Sequence, residues 1–87
     1  MIGSCGNEKD SDALVIVDLK NKGRDIEINS KLKDMFGEYM EKAIIEILDE
    51  MKIKNIKVIL KDYGALDFVI KARTKVAIKR ALQGGDK

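Results

Sequence analysis

Between Ser30 and Met51 the apolar residues recur at i, i+3, i+4 and i+7: Leu32, Met35, Phe36, Tyr39, Met40, Ala43, Ile44, Ile47, Leu48 and Met51. That spacing gathers them on one stripe of an amphipathic helix, with Lys, Asp and Glu over most of the rest. Ser30 stands where a helix cap is expected, and residues 52–55 end the run. A Met-bearing stripe can serve as core or as a partner groove. Core is preferred, because neighbouring strands must bury an apolar face on something. Gly37 sits one turn in, where glycine costs about 1 kcal/mol relative to alanine. A close approach to a strand would account for it.

On either side the period changes. Residues 13–19 form a dense β-branched run, predicting a strand buried on at least one face. Asn21-Lys22-Gly23 supplies a turn, after which Ile26 and Ile28 alternate with Asp25, Glu27 and Asn29 as in a half-exposed strand. The first half therefore opens as a hairpin. Beyond the helix, Ile56, Val58 and Leu60 alternate with Lys57 and Lys61, and Tyr63-Gly64 turns the chain. Phe68, Ile70 and Ala72 then alternate with Asp67, Val69, Lys71 and Arg73, which reads as a fourth strand through Arg73. Thr74 would cap a short helix carrying Val76, Ala77, Ala81 and Leu82 on one side. Leu66, Val69, Ile70 and Ala77 also fit one continuous helix, but β-branched Val69-Ile70 after an aromatic favours the strand. The expected fold is α+β, a two-layer ββαββα sandwich with one long amphipathic helix and a short C-terminal helix. Residues 1–12 read as a mobile polar arm, 13–83 as a single domain and 84–87 as a tail.

Composition narrows the chemistry. Eighty-seven residues, 45% of them hydrophobic, suffice for one small core. No apolar run nears the roughly 18 residues of a membrane span, and no hydrophobic secretory core opens the chain. A lone Cys5 forms no internal disulfide, which suits a reducing cytoplasm. The chain has no His, so a His-assisted nucleophile is excluded and no zinc constellation can be assembled. Phosphate loops and dinucleotide fingerprints are missing, and no acid pair has apolar flanks to raise its pKa. A self-contained enzyme is not expected. Nor is a nucleic-acid binder: there is no Trp, only two Tyr and two Phe, and so no stacking platform. Charge is nonetheless uneven. Residues 1–12 set Glu8, Asp10 and Asp12 against Lys9, for −2, while residues 71–87 set four lysines and two arginines against Asp86, for +5. These are two surfaces for different neighbours, or two solvated faces.

The sharpest pattern lies in the last third: Asp62-Tyr63-Gly64-Ala65-Leu66-Asp67, then Ile70, Ala72-Arg73, Ala77 and Arg80-Ala81. Over some twenty residues it resembles the acyl carrier protein, or gamma subunit, of citrate lyase. The resemblance implies a non-catalytic carrier of a covalent arm, 2'-(5''-phosphoribosyl)-3'-dephospho-CoA, joined by a phosphodiester to a serine near the N-terminus. It implies a transferase (alpha) subunit, a lyase (beta) subunit and a prosthetic-group transferase as partners, with acetyl and citryl carried during citrate cleavage to oxaloacetate and acetate. It does not imply the four-helix bundle of fatty-acid carriers. The family's usual acceptor segment is Gly-Thr-Leu-Glu-Ser-(Ser/Gly)-Asp, its first serine modified. This chain instead has Gly6-Asn7-Glu8-Lys9-Asp10-Ser11-Asp12. Without gaps Asp10 falls on the modified position; a short insertion aligns Gly3-Ser4 with the start and makes Ser11 the acceptor. Ser11, alone just ahead of the first strand, is the expected attachment site, with Ser4 in reserve. Gly64, Asp67, Arg73 and Arg80 are the expected docking residues. The alternative is that Gly64 serves only a tight turn and Asp67 only an ion pair with Arg73 or a cap. Malonate decarboxylase's small carrier subunit, with a related arm and a Ser-Gly-Asp acceptor, is a close second reading. A non-acylated protein- or RNA-binding module is a more distant one.

Overall fold

The computed structural model describes residues 2–84 of the chain; the end of the expected tail, 85–87, lies outside them. The elements run β1 (Ile2–Gly6), β2 (Ala13–Asp18), β3 (Arg24–Asn29), α1 (Lys33–Glu50), β4 (Ile56–Asp62) and α2 (Asp67–Leu82). Four strands form one sheet in the order β1-β2-β4-β3, with β3 parallel to β4 and the other pairs antiparallel. α2 lies over β1 and β2, and α1 packs beside it over β3. The α+β class, the two layers, the long helix and the C-terminal helix agree with the sequence.

Alternation decides which face is covered. Val15 and Val17 of β2, Ile56, Val58 and Leu60 of β4 and Ile28 of β3 point under the helices and are buried. They meet Met40, Ala43, Ile44, Ile47 and Leu48 of α1, with Ile70, Ala77, Ile78 and Ala81 of α2. The alternate residues Leu14, Ile16 and Ile59 are half-buried on the other face, among Asp18, Glu27, Lys57 and Lys61.

Several local expectations are corrected. Residues 67–73 are helix, not a fourth strand. Ile70, Thr74, Ala77, Ile78 and Ala81 are the buried set, spaced 4, 3, 1 and 3 apart as on a helix, whereas Phe68 and Ala72 are exposed. Thr74 is thus no cap but a buried mid-helix residue whose hydroxyl donates to the Ile70 carbonyl at 2.7 Å. β2 and β3 do not form a hairpin, because β4 lies between them. Its buried positions alternate through its whole length, which suits the centre of the sheet, while polar β3 takes an edge. The fourth strand comes from the segment read as an arm: β1 pairs with β2 and has two glycines among its five residues.

α1 differs in detail. Ser30 lies outside the helix, where its hydroxyl accepts from the Leu32 amide at 3.0 Å and donates to Asp62 at 2.9 Å. Gly37 approaches no strand; a methyl there would meet only the Lys33 side chain, at 3.2 Å. Leu32, Met35, Phe36 and Tyr39 are exposed rather than core. Eighteen helical residues reach about 27 Å, whereas a six-residue strand spans only about 20 Å. The first turns of α1 run alongside the edge strand β3, where Lys33, Asp34 and Glu38 line a hollow with Asp25–Ile28, while their apolar stripe is left uncovered.

Candidate functional site

The β1–β2 tip, the C-terminal ends of β3 and β4 and the first turns of both helices share one end of the molecule. The strand register places them there: Gly6 is opposite Leu14, Ala13 opposite Asp62, and Asn29 opposite Lys61. Residues 7–12 form the tip, closed by the Asn7 amide on the Ala13 carbonyl and the Asp12 amide on the Lys9 carbonyl, both at 3.1 Å.

Ser11 occupies the tip with φ 64°, the left-handed region that side chains other than glycine rarely adopt. Two backbone bonds hold it there. The Ser11 amide donates to the Tyr63 carbonyl at 2.7 Å, and the Tyr63 amide donates to the Asp12 carbonyl at 3.0 Å. Gly64 turns the chain beside the tip at φ 92°, a conformation that favours glycine, while a methyl on it would stand 3.9 Å from the Ser11 nitrogen, an ordinary contact. The Tyr63 hydroxyl donates to Glu8 at 2.9 Å, and that bond, followed by partial burial, raises the Tyr63 pKa. Ser11 itself is exposed, and among the described residues its hydroxyl has no hydrogen-bond partner.

Beneath the tip, Arg73 of α2 grips Asp12 with both arms of its guanidinium, Nε to one carboxylate oxygen at 3.2 Å and Nη2 to the other at 3.0 Å. The Ala13 amide donates to the same carboxylate at 2.7 Å and Asn7 at 3.2 Å. These bonds, the Ala13 amide first, lower the Asp12 pKa, and Asp12 in turn raises that of Arg73. Arg73 also reaches the buried Cys5 sulfur at 3.7 Å. One helical stretch farther on, Arg80 donates to the Ser4 carbonyl at 2.8 Å. Between these bonds β1 lies directly on α2: a methyl on Gly3 would run into the Ala77 carbonyl and stand 2.6 Å from the Ala81 amide.

The residues singled out from sequence therefore separate into groups. Ser11 and Gly64 meet at the tip, while Ser4 lies half-buried within β1. Asp67 opens α2, 3.9 Å from Lys71 rather than beside Arg73, and its carboxylate faces Tyr39. Arg73 and Arg80 each have an intramolecular partner in the tip or in β1. Asp12, Gly3, Lys31 and Lys61 are not among the site residues expected from sequence; Asp12 and Gly3, aligned with the end and the start of the acceptor segment, carried a signal, and the two lysines carried none. An open cleft of about 650 Å³ adjoins the tip, with Asp10, Asn29, Lys31, Leu32, Lys61 and Tyr63 on its walls. Among the described residues, no group of three His, Cys, Asp or Glu is placed to hold a metal, and no helix is long and apolar enough to cross a membrane.

Comparison with known proteins decides what kind of protein has this tip. A citrate lyase acyl carrier protein from Halothermothrix orenii is 37% identical over 83 residues, covering 95% of this chain and 88% of its own. One from Oenococcus oeni is 41% identical over 81 residues, covering 93% and 84%. The family model described as malonate decarboxylase delta subunit matches residues 3–81. The chain belongs to this acyl carrier family. Among solved structures, a chain from Thermus thermophilus superposes with a TM-score of 0.50 at 12% identity, over 91% of this chain and 14% of that longer one, a likeness of fold alone. For a member of the acyl carrier family, the Gly64, Arg73, Ala77, Arg80 and Ala81 pattern acquires a physical meaning. Gly64 makes the turn beside the tip, Arg73 holds the tip through Asp12, and the other three seat or hold β1 against α2.

Proposed function

We propose that the chain is the acyl carrier subunit of a citrate-lyase-type complex, with Ser11 as the attachment point of a phosphoribosyl-dephospho-CoA arm. The observation that carries this reading is the state of Ser11: an exposed hydroxyl without a partner among the described residues, on a tip whose backbone is fixed to the β4–α2 corner. A modifying transferase needs a reachable hydroxyl, and Ser4, inside a strand and half-buried, offers a poorer one. The donor set suits a phosphodiester only as a point of attachment. Asp10 and Asp12 flank Ser11 in the chain, and Asp12 is committed to Arg73, so Ser11 would hold the arm through its phosphodiester bond.

When bound, such an arm supplies the thiol on which acetyl and citryl are held as thioesters for the larger subunits. The chain's own part is mechanical. The bonds from Ser11 and Tyr63 and the Asp12–Arg73 grip fix the base of the arm, so its thiol searches a limited volume at high effective concentration. The transferase subunit would exchange the carried acetyl for citrate, releasing acetate, and the lyase subunit would cleave the resulting citryl thioester to oxaloacetate and acetyl carrier, in the cytoplasm and without nucleic acid or membrane. The chain performs no bond-breaking of its own. The Gly64–Asp67 corner, beside the tip, contributes to contact with those subunits.

Intact mass of protein purified from its native host tests the reading. The protein should be heavier by one nucleotide-type arm, and Ser11→Ala should abolish the increment. An increment lost only in Ser4→Ala would move the site, and none at all in native material would end the carrier reading. The matched family description favours one second reading, a malonate decarboxylase carrier. Mass of the acyl group released by hydroxylamine separates the two: acetyl and citryl for the first, malonyl in addition to acetyl for the second.

A further inference from the structure

The apolar stripe of α1 extends farther than the protein that could bury it. Leu32, Met35, Phe36 and Tyr39 are 41%, 76%, 44% and 50% exposed, while Met40, Ala43, Ile44, Ile47 and Leu48 on the same helix are buried. Across the helix pair, the start of α2 adds Leu66 at 61% and Phe68 at 63%. Tyr39 joins the two groups, since its hydroxyl faces Asp67, the residue between Leu66 and Phe68.

Six large side chains at these exposures present on the order of 700 Å² of surface, taking roughly 150–250 Å² for a whole one. The largest patch on a typical monomer is about 300–600 Å². A standard interface takes about 800 Å² from each partner. This patch lies between the two, which suits a contact that forms and releases.

Position and charge identify the occupant. The patch shares its end of the molecule with Ser11, and the cleft between them carries Lys31 and Lys61, neither of which has an ion pair among the described residues. Of the cleft's two carboxylates, Asp62 is buried and bonded to Ser30 and the Ala65 amide, which leaves the two lysines against the exposed Asp10 alone. We propose that this face, Leu32, Met35, Phe36 and Tyr39 of α1 with Leu66 and Phe68 of α2, docks the catalytic subunit that works on the arm, through an apolar groove with an acidic rim. The inference rests on the carrier reading and adds the surface that presents the arm. A second copy is a poorer occupant: two chains joined here would crowd two Ser11 tips into one interface and shield the hydroxyls.

Intact mass decides the carrier reading by itself; titration against the purified larger subunits of the host's complex decides this one. Met35→Asp and Phe68→Asp should each weaken binding by about tenfold or more. Both sites are exposed, so melting temperature and the mass increment should stay those of the wild type. Lys31→Glu should weaken binding less, with an effect that shrinks at high salt. Wild-type affinity in both Asp variants would overturn the proposal, and so would a wild-type dimer in sedimentation that Met35→Asp splits. A chain without an arm whose binding still falls on Met35→Asp would remove the carrier reading and keep the docking face.

Discussion

Arg73 and Asp12 are 61 residues apart in sequence, yet they share two hydrogen bonds that tie the tip of the β1–β2 hairpin to the middle of α2. Because Asp12 directly follows Ser11, the grip fixes the candidate acceptor from one side while Tyr63 fixes it from the other. Arg73 and Arg80, which look like free cations of a docking surface in sequence, hold the N-terminal strand onto the domain.

This grip should be sensitive to acid. The folded pKa of Asp12 is held below its ordinary 3.8, so its bonds stabilise the fold fully above about pH 4 and are lost as pH falls through the folded value. Amide exchange at Ser11 and Asp12, corrected for intrinsic rates, should accelerate below pH 4 before the core opens. Arg73→Gln should raise the Asp12 pKa only part of the way, because the Ala13 amide is the larger cause. It should also loosen the tip at neutral pH. Unchanged tip exchange in Arg73→Gln would show that the pairing does not hold the loop.

The seat of β1 on α2 makes a second prediction. At Gly3 no side chain fits between the strand and the Ala77–Ala81 turn. Gly3→Val should cost about 1–3 kcal/mol as overpacking, and each kcal/mol should lower Tm by roughly 4–8 °C in a domain of this size. The loss should fall on β1, with its amides exchanging fastest. A variant as stable as the wild type would mean that β1 is not seated where the structure has it.

How much of this was legible follows the range of each interaction. β2, β4 and the buried half of α1 were readable because period 2 and period 3.6 are local signals. The strand expected over 67–73 arose because Phe68, Ile70 and Ala72 alternate with their neighbours while Val69-Ile70 is β-branched. Only the packing of Ile70 with Ala77 and Ile78 in the core settles the period. β1 was invisible for the opposite reason: Gly3 and Gly6 are poor strand formers, and the strand is held by a partner rather than by propensity. The stripe of α1 gave the right helix and the wrong extent of burial, since sequence does not say which part of an apolar stripe finds a neighbour to cover it. At the site, the family pattern named Gly64, Arg73 and Arg80, but their task depends on contacts 61 and 76 residues away for the arginines, which no local spacing encodes.

The core offers a sharper test of the helix face. Ile44 is fully buried, so Ile44→Ala should cost about 2–5 kcal/mol. Ile45, its neighbour off the stripe, is only partly buried, and its truncation should cost much less. Chemical denaturation of the two variants compares them directly. Equal losses would contradict the orientation of α1.

The last prediction sets function against stability at Ser11. A left-handed conformation costs an ordinary residue about 1–2 kcal/mol relative to glycine, while glycine elsewhere loses about 0.5–1 kcal/mol to the freedom of the unfolded chain. At φ 64° the first effect exceeds the second, so Ser11→Gly should stabilise the domain by up to about 1 kcal/mol. Ser11→Ala keeps the strain and removes a hydroxyl that bonds to nothing among the described residues, and should leave stability unchanged. Both variants should lose the arm. A serine that is worse for the fold than glycine, at a tip this well fixed, is what a position retained for its hydroxyl should show. Denaturant titration checks it, and a Ser11→Gly variant clearly less stable than Ser11→Ala would mean that the folded protein does not impose the left-handed conformation.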